Sequence, residues 1–230
     1  MSILILGMHR SGTSAITRLI ASMGAHVAPE HLLLPASHDN PKGFFERTDV
    51  LALNRAILAS QNCNWYQVSG FDSTRPLPPE LEKPMRACVQ QLENHAPFVV
   101  KDPRFCLTLP YWLPFFSTPP TLVLAVRHPA AIAHSLQRRN DMPPEHGLAL
   151  WEQYITHALH HLRGLNVVRC DFDSLLSDPE NTARSLHAAL AHTTLTPPHP
   201  LEIDPSLAHA APGDIALSPA QQQLYHEAIR

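Results

Sequence analysis

The chain has 230 residues and is 44% hydrophobic, enough for one domain with a sizeable core and too apolar for global disorder. Charge is divided unevenly: residues 1–140 carry a net +4 and residues 141–230 a net −7, so the first part favours an anionic ligand. The basic residues are dispersed and do not interleave with aromatics, which argues against a nucleic-acid partner. No apolar run approaches the ~20 residues of a membrane span, and no basic leader with a cleavage site is visible, so a cytoplasmic protein is expected.

In chain order, the apolar run at 2–6 predicts a strand buried on both faces. Ile16, Leu19, Ile20 and Met23 then recur at helical spacing. A second strand is expected over 25–27, followed by loop-like text to Gly43 with Asn-Pro and Lys-Gly turn signals. Residues 48–60 read as a helix and 62–84 as a Pro/Ser/Gly-rich surface excursion. A helix from about 80 to 95 leads into a strand at 97–100. An aromatic, Pro-rich helix-loop follows, then the clearest strand, TLVLAV at 121–126. Pro129 opens a helix to about 140, and helices are also expected over about 148–163, 179–190 and 219–229, with a strand at 166–170. Strands alternating with helices imply a three-layer α/β/α fold around a central parallel sheet, whose ligands bind beyond the carboxyl ends of the strands. The whole chain reads as one domain: cofactor motifs in 1–140, completion of the fold in 141–192, and a Pro-rich C-terminal segment over 193–230.

Cys63, Cys88, Cys106 and Cys170 form no C-x-x-C pair and read as buried free thiols. The 16 histidines show no metal-binding spacing, although His157, His160 and His161 share one predicted helical face. No metal is expected.

The first strand runs into GMHRSGTS at 7–14. Gly7 and Gly12 stand five apart, the frame of a phosphate-binding P-loop, except that Thr13 occupies the lysine's place. A strand, a glycine-bounded turn and a helix start aim backbone N–H groups and the helix dipole at one point, which holds a phosphate or sulfate without lysine. Arg10 supplies a cation, and Ser11, Thr13 and Ser14 supply hydroxyls. Support for Mg²⁺ is missing, since no apolar strand ends in a suitable aspartate; VVKD at 99–102 comes nearest. At the end of the third strand stands Arg127, with Ser135 eight residues later on the following helix. An arginine fork and a hydroxyl there suit a second phosphate.

Together these residues resemble the sulfotransferases that use 3′-phosphoadenosine 5′-phosphosulfate (PAPS), a branch of the P-loop fold. HRSGTS resembles that family's 5′-phosphosulfate loop, P-[KR]-S-G-T-[ST], with His9 for proline. Arg127 and Ser135 resemble its 3′-phosphate site. VVKDPRF resembles the K-D-P-F stretch of tyrosylprotein sulfotransferases, CDFDSLLSDP the wider family's Y-E-D-L-L-x-D-P, and NPKGFFE pieces of bacterial members. The resemblance runs, with gaps, over about residues 3–190. A late R-K-G motif is absent, and PGD at 212–214 is at most a trace of its surroundings.

The resemblance implies PAPS as co-substrate, held by Gly7, His9, Arg10, Ser11, Gly12, Thr13, Ser14, Arg127 and Ser135. It implies sulfuryl transfer to a hydroxyl or amine of a small-molecule or glycan acceptor. Lys101 is expected to neutralise charge on the transferred group or leaving oxygen. Glu46 or Glu30 is the expected base, with His31 or another histidine as a further candidate, and Asp102 reads as a cap that orients Lys101. Glu46 also reads as a plain helix-start carboxylate. Residues 29–45 and 61–78, with Trp65, Tyr66, Arg47 and Arg104, are expected to wall the acceptor site. A Mg²⁺-dependent kinase and a non-catalytic PAPS-binding protein stand as alternatives.

Overall fold

In a computed structural model, residues 2–35, 43–191, 194–198 and 215–230 are described. The centre is a four-stranded parallel sheet made of β1 (Ser2–Leu6), β2 (Phe98–Lys101), β3 (Thr121–Val126) and β4 (Val167–Asp171), in the order β2-β1-β3-β4. Register pairs Ile5 with Lys101 on one side of β1 and Leu6 with Leu124 on the other. The carboxyl ends of β2 and β3 therefore flank the loop that leaves β1.

Alternation along the strands sorts the core into two layers. Leu4, Leu6, Val100, Leu122 and Leu124 face one cluster; Ile3, Ile5, Val99, Val123 and Ala125 face the other. On the first face pack α2 (Thr48–Ala59), α3 (Pro79–Glu93), α4 (Phe105–Trp112), α5 (Pro129–Asn140), α6 (Pro144–His161) and α9 (Pro219–Ile229). On the second pack α1 (Thr13–Ser22), α7 (Phe172–Ser177) and α8 (Pro179–Ala189). Both faces of every central strand are thus dry, which is why these strands read as continuous apolar runs. The three-layer α/β/α fold with a parallel sheet is present as expected.

Departures from the sequence expectations have local causes. Residues 25–27 form no strand, only a single parallel bridge in which His26 donates to Pro97 O and accepts from Val99 N, each at 2.8 Å. Pro97 has no N–H to extend the ladder, and Pro29 turns the chain away. Helix α6 starts four residues before the apolar periodicity does, because Pro144 presets its first turn and Glu145 complements the dipole. The short α7 was not anticipated; the Asp171 side chain caps it by accepting from Asp173 N and Ser174 N. The excursion after α2 ends at Pro78 and is pinned inward by Cys63, Val68 and Phe71, all buried.

All four cysteines are buried and unpaired, and burial pushes Cys88, Cys106 and Cys170 up to about 12. No described helix is long and apolar enough to cross a membrane. His157, His160 and His161 do cluster on α6, but among the described residues no group is arranged to hold a metal. Burial, then the neighbouring His157 and His160, lowers the His161 pKa to about 4. A folded pKa below the unfolded value of about 6.5 means that stability is full above that pH and declines as pH falls towards 4. Between pH 7.5 and 5, His161→Gln is therefore expected to lose less stability than the parent, by up to about 2 kcal/mol before solvent screening of this half-buried ring reduces the difference. Urea unfolding at the two pH values checks this, and equal acid losses would refute it.

Candidate active site

Strand β1 delivers Gly7 to the carboxyl edge of the sheet, and α1 begins at Thr13. The turn between them needs unusual backbone: Gly7 has φ 148°, Arg10 φ 72° and Gly12 φ 83°. A Cβ at Gly7 would stand 2.7 Å from Ser11 Oγ and 2.8 Å from Ala125 O, so the chain passes here only as glycine. Ser11 N donates to Met8 O at 3.1 Å, closing the turn. No side chain caps α1, and the Ser11 hydroxyl is buried with no hydrogen-bond partner among the described residues. An uncapped helix start beside an orphaned hydroxyl fits an anion whose oxygens accept both. Ser14 Oγ donates to Phe44 O at 2.9 Å, tying the loop to the segment that carries Glu46.

On the β2 side, Lys101 Nζ lies 2.5 Å from Glu46 Oε1, and both side chains are buried. Arg104 Nη1 lies 3.9 Å from Glu46 Oε2, beyond hydrogen-bonding distance. Asp102, fully buried, takes Arg104 instead: its carboxylate accepts from Arg104 Nη1 at 3.0 and 3.2 Å and from Arg104 N at 2.8 Å. Burial pushes the Asp102 carboxyl upward, with Arg104 opposing. Asp102 thus orients Arg104, where the sequence suggested Lys101. The helix-start role considered for Glu46 falls to Asp49, which accepts from Val50 N and grips Arg47 at 3.0 and 2.6 Å. Glu30 and His31 are exposed in a 3-10 turn at 30–32.

On the β3 side, Arg10, Arg127 and Ser135 come together. Arg10 Nε donates to Ser135 Oγ at 2.8 Å, and Arg127 Nη1 donates to Arg10 O at 3.0 Å. The loop arginine therefore reaches across to the serine on α5. Two residues to which the sequence reading gave no role stand here. The Phe172 ring packs beside Gly12 and lies 5.0 Å from the Arg127 guanidinium. Asp173 Oδ1 lies 3.7 Å from Arg127 Nε, and its Oδ2 accepts from His128 N at 3.0 Å. Their only sequence signal was the matched stretch at 170–179.

His9 closes the third side. Its ring packs 4.9 Å from Trp65 and 5.7 Å from Tyr154. Tyr154 donates to Trp65 O at 2.9 Å, so α6 holds the 61–78 segment against the loop. Burial, then Arg104, Lys101, Arg139 and Arg10, keeps His9 well below the ordinary histidine value and hence neutral at pH 7. Tyr66 beside it is exposed. The PGD trace at 212–214 lies outside the described residues.

A model of the sulfotransferase family matches residues 2–194. The chain belongs to the sulfotransferase family. Among solved structures, this sulfotransferase is similar to the sulfotransferase domain of the olefin synthase of Synechococcus PCC 7002. The TM-score is 0.60 and the identity 19%, covering 98% of this chain and 93% of that one. The sulfotransferase domain from the curacin biosynthetic pathway is similar at TM-score 0.58 and 18% identity, covering 98% and 96%. At such identities the likeness speaks for the fold. No curated protein matches this sulfotransferase in sequence.

Proposed function

We propose that this sulfotransferase moves a sulfuryl group from PAPS to a hydroxyl or amine of a small-molecule or glycan acceptor, without a metal ion. The observation that carries the reading is the buried Lys101–Glu46 pair beside an uncapped, glycine-bounded loop. A cation and a carboxylate are thereby presented together where an anion fits. Thr13 in the lysine's place supports a nucleotide chemistry other than that of Mg²⁺-dependent kinases.

In this reading the amides of 9–14, with Arg10, Ser11, Thr13 and Ser14, hold the 5′-phosphosulfate. Arg127 and Ser135 hold the 3′-phosphate. Bound PAPS would supply the sulfuryl group, with adenosine 3′,5′-bisphosphate as the in-line leaving group. Lys101 Nζ offsets the negative charge that gathers on the bridging oxygen as the S–O bond breaks. Glu46 takes the proton from the acceptor hydroxyl as its oxygen bonds to sulfur. Glu30, exposed in the turn at 30–32, is the less favoured candidate because Glu46 is the carboxylate paired with Lys101. His9 stays neutral and positions the loop against Trp65, whose ring with Tyr66 suits an acceptor ring.

Calorimetry tests the donor assignment. Adenosine 3′,5′-bisphosphate is expected to bind without Mg²⁺ and more tightly than ATP–Mg²⁺; the reverse order would sink the reading. Arg127→Ala is expected to weaken the bisphosphate by about 10- to 100-fold with little effect on AMP. Equal losses on both nucleotides would contradict the assigned 3′ site.

A further inference from the structure

The two phosphate sites are made by different elements, and something must fix the distance and angle between them. At the junction stands α7: its first residue lies against both, and its second against the arginine. Phe172, buried, fills the space where a Gly12 side chain would be and lies under the Arg127 guanidinium. Asp173 acts through two oxygens: Oδ2 on the amide of His128, immediately after Arg127, and Oδ1 3.7 Å from Arg127 Nε. Arg127 Nη1 in turn donates to the loop carbonyl of Arg10. One carboxylate thus holds the backbone that carries the arginine and faces the inner nitrogen of its side chain.

We infer that Asp173 is a specificity-determining positioning residue, which sets the Arg127 guanidinium in the orientation that reads a nucleotide's 3′-phosphate. The inference rests on the assignment of Arg127 and Ser135 to that phosphate.

A carboxylate beside a phosphate-binding arginine has two opposed effects. Its charge repels the incoming phosphate, and its hydrogen bonding and pairing orient the cation. The Asp173 side chain is 40% exposed while that of Arg127 is 6% exposed. Solvent therefore screens the repulsion between Asp173 and an incoming phosphate, whereas the attraction of Asp173 for the buried Arg127 guanidinium is screened less. Burial lowers the Arg127 pKa and Asp173 opposes that, so the carboxylate also favours the charged arginine. Orientation outweighs repulsion. Because arginine forks bind phosphate in a fixed plane, a misdirected fork loses selectivity more than it loses general charge attraction.

The test is calorimetry of the full chain with adenosine 3′,5′-bisphosphate and with AMP. Asp173→Ala is expected to weaken the bisphosphate about 5- to 20-fold and leave AMP within about twofold. Asp173→Asn, which keeps an oxygen for His128 N, is expected to fall between, and it serves if the alanine variant does not fold. In an Arg127→Ala background, Asp173→Ala is expected to change neither ligand, since the residue acts through the arginine. Tighter bisphosphate binding in Asp173→Ala would overturn the inference, as would equal losses on both ligands, no change at all, or a full effect without Arg127. If the parent itself does not prefer the bisphosphate over AMP, the 3′-phosphate assignment fails and takes this inference with it. If the parent prefers it and Arg127→Ala removes that preference but Asp173→Ala does not, the inference alone fails.

Discussion

Lys101→Met is expected to reduce turnover by about two to three decades while leaving adenosine 3′,5′-bisphosphate binding within a few-fold. A preorganised donor aimed at developing charge is worth about 2.7–4 kcal/mol of barrier, which sets the size of the loss. The substitution has a second consequence because of where Lys101 sits. Its partner Glu46 is buried, and Arg104 at 3.9 Å is already engaged by Asp102. Removing the lysine leaves a buried carboxylate without its close cation, at a cost of about 3–5 kcal/mol in stability. The double variant Lys101→Met/Glu46→Gln is expected to regain most of that stability and none of the turnover. Conversion of PAPS to the bisphosphate with a panel of phenols and glycans, alongside urea unfolding, separates the two effects. Full turnover in the stable double variant would remove both residues from the chemistry.

Gly12→Ala is expected to be the most disruptive single methyl group in the loop. The backbone there has φ 83°, which costs an L-residue about 1–2 kcal/mol. The new Cβ would also stand 2.1 Å from Phe172 Cδ2 and 2.2 Å from its Cγ, so a buried aromatic ring must move. Phe172 also lies against Arg127, so displacing it disturbs both proposed phosphate sites at once. Together these effects are expected to lower the unfolding midpoint by about 10 °C, given 2–4 °C per kcal/mol for a chain of this size. Bisphosphate binding is expected to be lost. Gly164→Ala is the control: φ is 74° there but nothing lies within 4 Å, so only the backbone cost applies. Adding Phe172→Ala to Gly12→Ala is expected to relieve the collision and restore part of the midpoint. Equal effects at Gly12 and Gly164 would mean that the ring yields freely.

Much of the glycine-bounded loop was legible because its requirements are local. Gly7 and Gly12 are needed by backbone angles set within eight residues, and an apolar strand before them and a helical period after them frame the turn. Arg127 and Ser135 were legible for the same reason, since a strand end and the following helix fix their separation. The partner choices were not. Lys101 and Asp102 are neighbours in sequence, yet Lys101 takes Glu46, 55 residues away, while Asp102 takes Arg104. Neutral and charged pairings of this kind depend on which side chains packing brings within reach, and no spacing encodes that. Residues 25–27 carried strand-like text but make a single bridge, because Pro97 in the partner segment offers no N–H on one side and Pro29 turns the chain away on the other.

The sequence by itself determined the class of fold and the glycine-bounded turn after the first strand. Both rest on periodicity, glycine placement and strand-to-helix succession, which act over short stretches of chain. Tertiary structure alone decided which carboxylate meets the lysine, that Arg10 reaches Ser135, and that Phe172 and Asp173 stand against Arg127. Those are contacts between segments about 45 to 160 residues apart, created only when two core layers close on a shared sheet and its strand ends converge.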